Sequence, residues 1–173
     1  MSRSEDGRSI HERALAGFRD QADRAVMVNA TRANYVEYQI AALLDDWETV
    51  GDWDGWDLQR GDTRLEVKAA AARQAWGQLG PSKGVFDIAP RDGHYKGNDW
   101  VVAPGRQAHI YVLAWHGEFD ESICDQRDES QWDYYVIRSN DLPERQKTIS
   151  LGRIRQLVEP TNAANLKDTV ERT

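Results

Sequence analysis

Apolar residues along the chain fall into three rhythms. From Ile10 to about Val28 they recur every three or four positions (Leu15, Phe18, Ala22, Ala25/Val26), which predicts a helix after a polar tail over residues 1–9. A second helix is predicted from Thr31 or Asn34 to Asp45, with Asn29 or Thr31 as cap and Tyr35, Tyr38, Ala41/Ala42 and Leu44 on its buried side. After Trp47 the period shortens to two. Trp56-Asp57-Leu58-Gln59 and Leu65-Glu66-Val67-Lys68 alternate across Arg60-Gly61-Asp62-Thr63, the pattern of a β-hairpin.

The Ala69–Ala72 run, continued by Arg73, Gln74, Trp76 and Gln78, predicts a short helix ended by Gly80-Pro81, with Trp76 in the core. Val85–Ile88 is a predicted strand, and residues 89–106, with Pro90, Gly93, Gly97, Pro104 and Gly105, are read as loop. Ile110–Trp115 is almost continuously apolar, as in a strand buried on both faces. Trp132–Ile137 is a further strand, and Ser150 caps a predicted helix carrying Leu151, Ile154, Leu157 and Val158. The resulting order, α-α-β-β-α-β-β-β-α, implies an α/β fold: a mixed sheet flanked by helices. A single domain is expected over residues 10–160, with a C-terminal tail over 161–173.

Length agrees with this reading, since 173 residues can bury a sizeable core unaided. There is no apolar run of membrane-spanning length, and Met1–Ser9 lacks a signal-peptide core, so a cytoplasmic protein is expected. The lone Cys124 supports neither a disulfide framework nor a cysteine zinc site, and the four scattered histidines are assigned to no metal. The net charge of −7 argues against a general nucleic-acid coat. Seven acids and one base between Glu118 and Asp133 account for almost all of it. That acidic loop, 117–131, should face away from any polyanion, gate access to it, or bind a basic protein partner.

The chemistry lies on the hairpin. With the turn centred between Gly61 and Asp62, Leu58 opposes Leu65 and Trp56 opposes Val67 on an apolar face. Asp57 opposes Glu66, with Lys68 next along, on the other. Opposed carboxylates repel unless a cation lies between them, and Mg²⁺ is commonly held by one or two carboxylates. A solvated amphipathic hairpin would show the same residue types. Asp54 is an alternative carboxylate to Asp57.

Asp57, eight intervening residues, then Glu66-Val67-Lys68 resembles the PD-(D/E)XK nuclease superfamily, the restriction-endonuclease-like fold. The resemblance covers about Tyr35 to Trp115. It implies an α-β-β-α-β core, here with an additional C-terminal strand and helix. Glu37 sits where a helical acid is expected, and Gln74 or Gln78 where a downstream amide is expected. Trp56 stands where many members carry proline.

What the resemblance implies is a Mg²⁺-dependent nuclease, with Mn²⁺ substituting, that hydrolyses DNA with activated water. Asp57 and Glu66 would hold the metal, Lys68 would assist the water or transition state, and Glu37 and Gln74 would complete the site. Arg73, Gln78, Ser82 and Lys83 are candidate phosphate contacts, with Lys96 and Arg106 extending a basic rim. A homodimer would allow both strands to be cut. The rival expectation is an inactive nuclease fold, or another α/β module, that binds proteins through its Trp-rich and acidic surfaces.

Overall fold

The computed structural model describes residues 8–51 and 54–173; the beginning of the predicted tail, residues 1–7, lies outside the described residues. Its centre is a five-stranded mixed sheet in the order β1-β2-β3-β7-β8, formed by β1 (Glu48–Thr49), β2 (Leu58–Arg60), β3 (Thr63–Ala71), β7 (Ile110–His116) and β8 (Trp132–Arg138). β3 and β7 are parallel and the other pairs antiparallel. The α/β class with flanking helices is as expected. No described helix is long and apolar enough to cross a membrane.

One face of the sheet packs Leu58, Leu65, Val67, Val112 and Tyr134 beneath helix α2 (Asn29–Leu44) and helix α4 (Ala163–Arg172). The buried stripe of α2 is Arg32, Val36, Ile40 and Leu44, four residues apart. Tyr38, expected on that side, is 63% exposed, because a stripe drawn through Tyr35 and Tyr38 runs beside the one that meets the sheet. Helix α1 (Ile10–Arg24) forms with a Ser9/Glu12 capping box but buries none of its residues, so Leu15 and Phe18 are not core.

The second face buries Tyr111, Leu113, Trp115, Tyr135 and Ile137 under the pair β4 (Val85–Asp87) and β9 (Thr148–Ser150) and the short helix α3 (Leu151–Ile154). The sequence places a longer helix there; only its first turn is α-helical, and Leu157 and Val158 pack from the turn that follows.

Three expectations are corrected. The Ala69–Gln78 helix does not form: Ala69, Ala70 and Ala71 extend β3 against Ala114, Trp115 and His116 of β7. A parallel ladder and the aromatic layer outweigh alanine's modest helix preference. The chain then loops, with Ser82 N–H on the Ala72 carbonyl at 2.8 Å, and Trp76 is 57% exposed rather than core.

The predicted loop 89–106 contains a two-stranded ribbon, β5 (Arg91–Lys96) and β6 (Asp99–Gly105). Its two-residue turn uses Gly97 at φ 62°. Pro104 is tolerated because a lone pair of strands consists of edges. Finally, residues 161–173 are not a tail. Asn162 caps α4, and Leu166 and Val170 enter the first core. Leu166→Ala is expected to cost about 2–4 kcal/mol in urea unfolding, as for a fully buried leucine.

Candidate active site

The hairpin forms in the register set by its turn: Leu58 faces Leu65, Gln59 faces Arg64 and Arg60 faces Thr63, with Gly61 at φ 57°. The ladder stops at Leu58. Asp57 N–H still reaches the Leu65 carbonyl at 3.0 Å, but the backbone then bends away. The Asp57 carboxylate takes over as acceptor for Val67 N–H at 2.7 Å. Asp57 is thereby fixed by β3 itself, at the point where the outer edge of β3 loses its neighbour. The bend also breaks the phase of the alternation. Trp56 does not join Val67 in the first core; its indole donates to Gln59 Oε1 at 3.0 Å, and the Arg64 guanidinium stacks on it with 4.7 Å to the ring centroid.

Glu66 and Lys68, two apart on β3, emerge on the same face. Lys68 Nζ hydrogen-bonds Glu66 Oε1 and lies 4.0 Å from Asp57 Oδ2. The three side chains are only 26%, 16% and 28% exposed for Asp57, Glu66 and Lys68. Burial pushes both carboxyls above their usual range, against the pull of Lys68, and Glu66 is raised to about 7. Burial alone would lower Lys68, but Glu66 and Asp57 more than offset it and hold the ammonium above its ordinary value. Lys68 is therefore a resident cation between two desolvated acids, suited to meeting negative charge rather than to abstracting a proton.

Two hollows flank this cluster. A cleft of about 440 Å³ is lined by Glu37 and Asn34 of α2, by Asp54 and Asp57, and by Lys68. Glu37 thus joins the predicted site. Asp54 also lines it, its carboxylate accepting Gly51 N–H at 2.9 Å in a local turn; of the two aspartates, Asp57 is the one bound to the β3 backbone and close to Lys68. On the other side, a niche of about 60 Å³ brings Glu66 and Lys68 together with Asp87, Arg91, Arg106 and Tyr111. Sequence reasoning placed Arg106 on a basic rim and assigned none of the other three to the site. Asp87 was legible as the polar position of a predicted strand. Nothing local, however, says that this strand packs beside β3.

Gln74 is elsewhere. Its amide bonds the Ala71 carbonyl at 2.7 Å, and its carbonyl accepts from the buried Arg32 at 3.0 Å. Gln78 closes the loop after β3 by accepting from Gln74 N–H and donating to Ser82 Oγ at 2.9 Å. Arg73 is bound to the Phe119 carbonyl and to Glu121 in the acidic segment, and Lys83 projects from the surface. None of Arg73, Gln74, Gln78, Ser82 and Lys83 lines the cleft or the niche. The reason is the missing helix: placing those side chains over the cluster required a helix turning back across the sheet, and the strand instead carries them past its end. The acidic segment meets bases of this same chain, Arg73 at Glu121 (2.8 Å) and Arg127 at Asp125 (2.7 Å).

No cluster of three or more His, Cys, Asp or Glu side chains stands ready as a metal cage among the described residues. Asp57 lines the open cleft and Glu66 the small niche on the other side of Lys68, and both present carboxylate oxygens of the kind a hard cation takes while completing its shell with water and substrate oxygens. No family model, curated protein or solved structure matches the chain.

Proposed function

We propose that the protein is a metal-dependent nuclease that hydrolyses DNA phosphodiesters at the Asp57–Glu66–Lys68 cluster. The observation that carries this reading is the convergence of two half-buried, electrostatically penalised carboxylates and one ammonium at the open edge of β3. Such a cluster costs stability and is hard to account for as a solvated face. Asp57 and Glu66 are the residues that would hold Mg²⁺ or Mn²⁺, which would supply Lewis-acid charge to the phosphate and lower the pKa of an attacking water. Lys68 would turn its ammonium from Glu66 to the negative charge that develops on the phosphoryl oxygens. Glu37, across the cleft, would orient water.

Calorimetric titration with Mn²⁺ tests the metal site. Wild type should bind, whereas Asp57→Asn and Glu66→Gln should each lose at least tenfold in affinity; equal binding by all three would refute the assignment. Because Glu66 must shed a proton held up to about 7, affinity should climb with pH and flatten above that value. Below it, each unit should cost up to tenfold. The metal-free protein should behave in the opposite sense. Raised carboxyl pKa values stabilise the fold at acid pH, and that contribution is lost as pH rises from about 4.5 through about 7. Thermal melts with and without Mn²⁺ across this window would show the two trends diverging.

A second reading is favoured by one observation: Lys68 already neutralises Glu66, and Trp76 and Leu79 stand exposed on one loop. On that reading the fold is a protein-binding module, and all three proteins in the titration would ignore Mn²⁺.

A further inference from the structure

Beyond Leu65 the outer edge of β3 has no strand beside it. β2 pairs only with Thr63–Leu65, and β7 lies along the opposite edge. Successive residues of a strand turn their backbone N–H and C=O groups to alternate edges, and the bonds made here fix the phase. The Arg64 carbonyl accepts from His109 N–H and Ala72 N–H donates to the His116 carbonyl, both at 2.8 Å, so the even-numbered residues face β7. The odd-numbered ones face out. The Leu65 carbonyl accepts from Asp57 N–H, Val67 N–H donates to Asp57 Oδ2, and the Ala71 carbonyl accepts from the Gln74 side chain. Ala69 lies between the last two and has the same orientation.

Val67 N–H has the Asp57 carboxylate in place of the missing strand. Ala69 N–H has no such substitute: among the described residues, nothing accepts from it. Ala69 nevertheless lines the cleft of about 440 Å³ together with Asp57 and Lys68. Its amide stands one outward step, about 6.6 Å along the strand, from the amide that fixes Asp57. It is also the next in the chain after Lys68. The small Ala69 side chain packs on the first core, so it does not cover the edge.

We infer that Ala69 N–H binds the phosphate that is hydrolysed, donating to a non-bridging oxygen beside Lys68, so that the substrate strand lies along the open edge of β3. Backbone N–H groups are common phosphate contacts, and they fix the position of the strand without reading its sequence. An amide facing cleft water can exchange that water for a phosphate oxygen and lose no hydrogen bond. Because the donor belongs to a strand locked to β7, it needs no reorganisation as charge builds on the phosphoryl oxygens. A main-chain donor has no residue type to announce it, so the sequence carries no sign of it. The inference rests on the nuclease reading of the cluster, but its test separates the two.

Ala69→Pro deletes this donor, and its ring meets the open edge, where proline is accepted, rather than the ladder to β7. Single-turnover cleavage should fall about 10²-fold, the loss of one preorganised donor, while Mn²⁺ affinity is unchanged because an N–H cannot ligate a cation. Ala69→Ser keeps the N–H and should cut at about the wild-type rate. A second measurement needs neither cleavage nor a variant. The Ala69 amide proton of isotope-labelled wild type is followed by NMR while thymidine bisphosphate, which carries two phosphates but no phosphodiester to cut, is added with Mg²⁺. The proton should move downfield, and Ala69→Pro should bind the nucleotide about tenfold more weakly, as for one hydrogen bond to a charged group. Ala69→Pro cutting at the wild-type rate, or an Ala69 amide that the bisphosphate leaves unmoved, would overturn the inference. If Asp57→Asn abolishes cleavage while Ala69→Pro changes nothing, the nuclease stands and the amide contact falls. A wild type that cuts nothing while its Ala69 amide responds to the bisphosphate gives the reverse.

Discussion

Lys68→Ala is expected to lower metal-dependent DNA cleavage about 10³-fold while leaving Mn²⁺ affinity intact or higher. Lys68 lies beside both carboxylates and competes with any cation for them, hydrogen-bonding Glu66 and standing 4.0 Å from Asp57. Removing it costs the metal nothing in coordination and relieves a positive neighbour. What is lost is a preorganised charge facing the transition state, and about 4 kcal/mol of such stabilisation corresponds to three powers of ten. Single-turnover rates beside calorimetric Mn²⁺ titrations separate the two effects. A parallel loss of metal affinity and rate would mean that Lys68 holds the site together rather than acting on the substrate. Lys68→Arg should recover little, because a planar guanidinium does not fit where a compact ammonium sits between two carboxylates.

Arg32→Ala should produce a large loss of stability, about 2–4 kcal/mol in urea unfolding. Arg32 is buried in α2, and its guanidinium reaches the Met27 carbonyl at 3.2 Å, Gln126 Oε1 at 3.3 Å, Gln74 Oε1 at 3.0 Å and the Asn29 side chain. These acceptors are neutral oxygens, and burial lowers the arginine's pKa. The residue thus joins three segments distant in sequence: α2, the loop after β3 and the acidic segment, whose Gln126 also donates to the Arg73 carbonyl at 2.9 Å. Alanine would leave buried amide oxygens without donors. Arg32→Lys should rescue only part, since one ammonium cannot span the fork. Unchanged stability in Arg32→Ala would show that water replaces the guanidinium without penalty.

The legible parts of this protein are those in which neighbouring residues determine the outcome. Gly61-Asp62 sets a two-residue turn, and the turn sets the register as far as Leu58 and Leu65. Asp57, just beyond that ladder, does not oppose Glu66 as expected but reaches the Lys68 neighbourhood through its bond from Val67 N–H, still a local step. The same local logic misread Ala69–Gln78, because alanine's helix preference is small enough for pairing with β7, some 45 residues downstream, to override it. The ribbon was legible in part: Gly97-Asn98 between alternating residues is a hairpin signal, obscured by Pro90, Pro104 and Gly105 around it. Asp87, Arg91 and Arg106 reach the cluster only through the crossover between β3 and β7. α4 was missed because its buried face consists of two apolar residues, Leu166 and Val170, too few to announce a helix.

The central claim is that this cluster cuts DNA with the help of a divalent cation. The most direct measurement is cleavage of a panel of single-stranded, duplex and branched DNA by wild type and Asp57→Asn, with Mg²⁺, Mn²⁺ or EDTA. The substituted amide retains a carbonyl oxygen to accept from Val67 N–H, so the variant keeps the fold and loses only the charge. The account predicts cleavage by wild type with either metal, none in EDTA, and none by Asp57→Asn under any condition. Cleavage that survives in Asp57→Asn or in EDTA, or a wild type that cuts no member of the panel, would contradict it.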